Sequence, residues 1–244
     1  SLKYLFFTKI NMFFINPPFG NYLNLPQTIS IKGSYTLEPR SGLIQQIFKT
    51  LRYYSKYGGW VNKIGLRNPG LDYAIKNYHS SHIVSIAILE EEEIPKILNK
   101  IPTNMNIELN ISCPNVDKNL CHNNLSSFLN AERKWCIIKL SPLVSYNLID
   151  NYYKQGFRQF HCSNTVPVKE GGLSGKNVMN YNKEIITYLT SQYKDVEIIA
   201  GGGITDIYDI NYYKNLGATH FAASTVFFCP FLSFRLYYDI INQK

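Results

Sequence analysis

Short apolar, β-rich runs recur along the whole chain: FFIN (13–16), TISIK (28–32), HIVSIAI (82–88), NIELNIS (106–112), WCIIKL (135–140), FRQFHCS (157–163), VEIIA (196–200) and HFAAS (220–224). Between the later runs the apolar positions repeat at helical spacing, over 90–100, 125–133, 146–155, 181–194, 206–216 and 231–242. Strands that alternate with helices predict a parallel sheet, because each parallel pairing needs a crossover. Eight such units close into a (β/α)8 TIM barrel, an α/β fold of about 250 residues whose chemistry sits at the C-terminal ends of its strands. With 244 residues, the chain is expected to be one barrel domain over 1–244.

Two stretches break the regular alternation. Only GNYLNLPQ (20–27) joins the first two strands, so the first crossover helix is expected to be reduced to a turn. A long insertion, 33–81, separates the second and third strands and carries WVNKIGLRNPG (60–70), read as a Gly/Asn-rich loop of the kind that brings function to the active face.

Polar residues and glycines gather where these strands end. Lys32 closes the second, Asn110 and Asn115 follow the fourth, Lys139 the fifth and Asn164 the sixth, with glycines at 201–203 after the seventh. Two glycine-rich stretches, GGLSG (171–175) and AGGGI (200–204), together with HFAAST (220–225), stand where barrels place phosphate: backbone N–H groups and a helix N-terminus suit an anion. Cys113, in LNISCPN (109–115), would lie just past the fourth strand, where Pro114 removes a backbone donor. A lone cysteine there is either a small buried filler or the group that performs chemistry.

Composition narrows the function classes. The formal net charge of +8 suits an anionic ligand, but lysines and arginines are scattered singly and form no basic tract, so nucleic acid is not expected as a partner. Five cysteines without a C-x-x-C pair argue against a disulfide framework and a zinc site, and for a reducing, cytoplasmic setting. Cys121 and His122 read as an ordinary loop pair, since no further metal ligands are spaced around them. The apolar beginning, SLKYLFFTKINMFF, is read as a lead-in to the first strand rather than a signal peptide, and no run reaches the length of a membrane span.

In order along the chain, NPPFGN (16–21), IKGSYTLEPRSG (31–42), NKIGLRNPGLDY (62–73), ELNISCPN (108–115), IKLSP (138–142), SNT (163–165), GGLSGK (171–176) and AGGGI (200–204) resemble the successive signatures of the dihydroorotate dehydrogenase family, in its soluble, cysteine-base branch. The resemblance implies an FMN-binding barrel that oxidises dihydroorotate to orotate in pyrimidine biosynthesis. Cys113 would be the catalytic base that takes a proton from C5 while a hydride leaves C6 for N5 of FMN. A thiol near its reference pKa of about 8.5 needs only a modest shift for that task. Asn62, Asn110, Asn115 and Asn164 would bind the flat, amide-edged substrate, joined by Lys32, Gly65, Leu66 and Thr165. Lys139 would stand near N1 and O2 of the flavin, Lys32 and Asn110 beside flavin and substrate together, and Gly175, Gly202, Gly203, Ser224 and Thr225 at the phosphate. The implied electron acceptor is fumarate, or NAD through a partner subunit, and a homodimer is the implied assembly.

The chain departs from that pattern in two places. Tyr22, Leu23 and Asn24 replace small residues that pack on the flavin, so they are expected either to crowd its ring or to fill the space left by the reduced crossover. The segment after the motif, 116–128, is compressed where a longer loop would cover the substrate. Two other readings compete. One is a flavin reductase similar to the tRNA-dihydrouridine synthases, opposed by Ser112 before the cysteine and by the four-asparagine set. The other is a decayed barrel that serves as a binding scaffold, opposed by the completeness of the site.

Overall fold

The computed structural model describes residues 12–111, 124–162 and 164–242. Its strands are β1 (Phe13–Ile15), β2 (Thr28–Tyr35), β3 (Arg52–Tyr54), β4 (Gly59–Asn62), β5 (His82–Ala87), β6 (Ile107–Asn110), β7 (Cys136–Leu140), β8 (Gln159–Cys162), β9 (Val166–Val168), β10 (Gly171–Gly175), β11 (Glu197–Gly201) and β12 (His220–Ala223). Its α-helices are α1 (Leu43–Thr50), α2 (Leu71–Lys76), α3 (Glu93–Lys100), α4 (Tyr146–Lys154), α5 (Met179–Gln192), α6 (Ile207–Asn215) and α7 (Pro230–Asn242). Strands β1, β2, β5, β6, β7, β8, β11 and β12 close in that order into a barrel whose neighbours all run parallel. These are the eight runs expected from the sequence, within three residues at each described end.

Period-two alternation sorts the side chains of each strand. One set, including Ile107, Leu109, Ile138, Phe160 and Ile198, is buried outward among the helices. The other points inward, where Phe14, Ile31, Ile83, Ile137, Ile199 and Ala222 pack with Trp135 into a separate apolar plug. Phe14 meets Trp135 edge-on at 5.3 Å between ring centres, and both rings also contact His220. At roughly 1.5–3 kcal/mol for each fully buried large aliphatic or aromatic side chain, the plug fixes the inner wall on which the site is built.

As expected, no α-helix joins β1 to β2. A single 3-10 turn, Phe19–Asn21, replaces it, and the loop beyond lies against β2, where Ser30 Oγ donates to the Leu23 carbonyl at 2.6 Å. Tyr22 is 76% exposed, so its ring stands in solvent and does not pack into the barrel. The exposed Tyr22 ring therefore does not fill the place of the missing crossover, which the 3-10 turn takes instead.

Three sequence expectations need correction. The insertion is not mainly a loop: it holds α1, β3, β4 and α2, and WVN of the presumed loop lies in β4. GGLSG is also a strand, β10, which pairs antiparallel with β4 and with β9 to give a four-stranded sheet in the order β3-β4-β10-β9. Its glycines permit close backbone approach: a side-chain carbon at residue 172 would stand 2.5 Å from Thr165 Oγ1. The helix expected over 125–133 is only a 3-10 turn, Leu125–Phe128. Asn130 Oδ1 there accepts from the backbone N–H of Glu132 and Arg133, while the buried Arg133 guanidinium donates to the carbonyls of Met105, Phe128 and Pro102. Side chains thus take the groups a helix would have paired.

Candidate active site

Above the apolar plug, toward the C-terminal ends of the strands, the barrel interior becomes polar. Asn16, Ser85, Glu108, Lys139 and His161, from β5, β6, β7, β8 and the end of β1, are all buried. The Glu108 carboxylate is fully buried. One oxygen accepts from Ser85 Oγ at 2.8 Å and lies 3.2 Å from Lys139 Nζ; the other lies 2.5 Å from His161 Nδ1. The far ring nitrogen of His161 is 3.3 Å from Asn16 Nδ2. Asn16 Oδ1 is buried and has no hydrogen-bond partner among the described residues.

Neither Glu108 nor His161 stood out in the sequence as a site residue. The available signal was a carboxylate inside an apolar strand, NIELNI, since a buried charge has to be paired. Burial opposes ionisation of Glu108, but the Lys139 charge and the hydrogen bonds from His161 and Ser85 outweigh it and hold the carboxyl below its usual range. Burial, reinforced by Lys139, keeps the His161 ring below the usual histidine value despite the attraction of Glu108. These directions agree on an ion pair between Glu108 and Lys139 beside a neutral imidazole. The neutral ring then donates from Nδ1 to Glu108 and accepts from Asn16 at Nε2.

The network continues to the top of the barrel. Ser85 Oγ lies 2.8 Å from Ser34 Oγ, which accepts from Asn110 Nδ2 at 2.9 Å; Asn110 Oδ1 in turn accepts from Asn164 Nδ2 at 3.4 Å. Thr165 donates its backbone N–H to Asn164 Oδ1. Asn110, Asn164, Thr165 and Lys139 of the sequence-derived set therefore converge on one face.

Asn62 ends β4, and Gly65 and Leu66 lie along the loop that leaves it. Asn68 shapes this loop: its Nδ2 donates to Leu66 O and Thr36 Oγ1, and its Oδ1 accepts from the N–H groups of Gly70 and Thr36. Arg40 Nε donates to the Gly65 carbonyl at 3.3 Å. Asn68 is a further residue the sequence did not single out.

Lys32 does not join the interior group. It pairs in register with Val84, one of the outward-facing core residues, and its charge bears on the buried His82. A register shift between Gly33 and Tyr35 re-aims the end of β2, and Ser34 rather than Lys32 reaches the network. Cys113 and Asn115 lie outside the described residues, as do Cys121 and His122. Among the described residues, no group of three or more metal-ligating side chains is present.

After β11, Gly202 and Gly203 both adopt left-handed backbone (φ 77° and 79°). Tyr213 OH donates to the carbonyls of Gly201 and Gly202, and Asn182 Nδ2 donates to that of Gly201, leaving amide N–H groups as the loop's offering to an anion. Helix α6 begins close by, capped by Asp206 in a reciprocal box with Asp209, and Lys176 pairs with Asp209 directly after Gly175. On the neighbouring strand Ser224 Oγ donates to the Pro17 carbonyl, and Thr225 opens the 3-10 turn Thr225–Phe228. A glycine turn at a helix start and a buried cation in the barrel ceiling form a donor set that fits a phosphate-bearing flavin.

Comparison with known proteins places this site in context. The family model described as dihydroorotate dehydrogenase matches residues 21–236. A relative from Malacoplasma penetrans, the catalytic subunit of dihydroorotate dehydrogenase B (NAD(+)), is 28% identical over 229 residues, covering 80% of this chain and 74% of its own. The protein of the same name from Oceanobacillus iheyensis is 30% identical over 231 residues, with 80% and 74% coverage. In fold, the chain is similar to a crystal structure of DHODH from Eimeria tenella in complex with ferulenol, with a TM-score of 0.68 at 16% identity over 86% of this chain and 73% of that one. The ligand-free protein from that organism gives 0.66 at 18% identity, over 87% and 76%.

Proposed function

Because the chain belongs to the dihydroorotate dehydrogenase family, we propose that it oxidises dihydroorotate to orotate with FMN, as a step of pyrimidine biosynthesis. The observation that carries this reading is the convergence of Asn110, Asn164 and Lys139 at the C-terminal mouth of a barrel whose ceiling is polar. Asparagine amides offer both donors and acceptors to the ring edge of such a substrate without burying a net charge. FMN, when bound, supplies the two-electron acceptor. The chain's own residues then bind and orient the substrate through Asn62, Asn110, Asn115 and Asn164, with Gly65, Leu66 and Thr165 shaping the walls, and Cys113 accepts the proton from C5. Lys139 presents positive charge where the reduced ring gains negative charge. Gly175, Gly202, Gly203, Ser224 and Thr225 hold the phosphate.

The naming of both relatives as NAD(+)-linked catalytic subunits supports NAD through a partner subunit as the acceptor, in preference to fumarate. Among the described residues no helix is long and apolar enough to cross a membrane. The test is the visible spectrum of the purified protein, recorded without oxygen before and after dihydroorotate. A bound flavin that bleaches supports the reading. A protein that stays colourless when FMN is supplied removes it.

A further inference from the structure

The Glu108 carboxylate takes no part in the proposed reaction, yet it is fully buried directly beneath the site. Burying an ionised carboxylate is expensive unless each oxygen is paired. Here one oxygen faces Lys139 Nζ (3.2 Å) and Ser85 Oγ (2.8 Å), and the other faces His161 Nδ1 (2.5 Å). Lys139 has a long, flexible stem, and an ammonium makes no planar fork that would fix its direction. Its place is set by what it pairs with.

We propose that Glu108 is the positioning residue of this site, tying the Lys139 ammonium to one point of the barrel ceiling, and that His161 is the second member, fixing Glu108 by a hydrogen bond from Nδ1. The proposal rests on the flavin dehydrogenase reading above and extends it to residues outside the set assigned there to substrate and cofactor. Glu108 also tempers the field of Lys139. A flavin bound beside Lys139 would meet an oriented ion pair rather than an isolated cation, and the pair would set how strongly reduced flavin is favoured over oxidised flavin. Both sides of the pair are needed, because removing one leaves the other buried and uncompensated.

The test uses the FMN-loaded protein and the variants Glu108→Gln, which keeps shape but removes charge, and Ser85→Ala, a milder loss of one hydrogen bond to the same oxygen. Three properties are measured: the midpoint potential of the bound flavin, kcat against KM for dihydroorotate, and the 15N shifts of histidine ring nitrogens, with the His161 signal identified by its loss in His161→Gln. Glu108→Gln is expected to change the preference for reduced over oxidised flavin by about tenfold, about 30 mV for a two-electron couple. It should lower kcat more than it raises KM, and Ser85→Ala should shift both the same way by less. In the wild type the 15N shifts should report a neutral ring protonated at Nδ1. Variants that unfold more easily but keep the midpoint and kcat of the wild type would overturn the positioning role and leave the network a packing device. A His161 ring protonated only at Nε2 would overturn its part. A wild-type protein that holds no flavin would remove the functional reading and this role together, whereas one that bleaches with dihydroorotate while Glu108→Gln keeps its potential removes this role alone.

Discussion

Lys32 and Lys139 are both lysines within barrel strands, yet the pleat sends one out of the barrel and the other into it. Their substitutions should differ accordingly. Lys32→Ala is expected to change FMN and orotate affinity by no more than about 0.5 kcal/mol, as for a surface position, measured by fluorescence titration of the flavin. A loss as large as that of Lys139→Ala would mean that Lys32 reaches the ligands after all. For Cys113, general-base chemistry sets the scale: Cys113→Ala should lower kcat by roughly 10²–10⁴-fold while orotate still perturbs the flavin spectrum at the concentrations that act on the wild type. Normal turnover in that variant would assign the base elsewhere.

At the scale of elements, the Arg133 side chain does the work of a short helix. It ties the carbonyls at 102 and 105, ahead of β6, to that at 128, ahead of β7. Arg133→Met should therefore cost about 3 kcal/mol, since buried carbonyls lose their donors, and urea unfolding should show it as a lower midpoint at unchanged slope. The eight barrel strands were legible in the sequence because each is a short apolar run bounded by polar residues, and burial on both faces of a parallel strand leaves that trace. The stretch 125–133 misled because periodicity registers apolar spacing and is blind to an asparagine turn or a guanidinium that captures carbonyls. The same blindness hid β4 and β10, whose glycines admit a close strand pairing that only the partner strand reveals. In the site, motif order located Asn110, Asn164 and Lys139. It could not reveal the pleat that points Lys32 outward, the bulge after it that brings Ser34 to the network, or that Glu108 and His161, on different strands, meet inside the barrel.

For the molecule as a whole, buried histidines set the response to acid. His82 is buried on the outer wall, and burial together with Lys32 and His79 lowers its pKa to about 4. The unfolded chain binds this proton near pH 6.5 and the folded chain does not. The stabilising contribution is therefore complete above about 6.5 and is lost as pH falls toward 4, an effect of roughly 3 kcal/mol. His161, also shifted down, acts in the same direction, and Glu108, held below the usual range, adds its own loss below the ordinary carboxylate value. Thermal unfolding followed from pH 7 to pH 4 should show a steep fall that His82→Phe makes shallower; an equal slope in that variant would exclude His82 as a source.

Closure of the barrel has a different kind of consequence. Strand β1 finds one neighbour in β2, a few residues ahead, and the other in β12, where Phe13 faces Phe221 and Ile15 faces Ala223. During synthesis the first strand therefore waits with one edge unsatisfied until β12 has left the ribosome. Such long-range pairing slows folding and leaves a growing sheet open to mispairing along the way. Yield in a cell should accordingly depend on chaperones that shield that edge, and a chain cut short before β12 should accumulate as aggregate even though every other strand of the barrel is present.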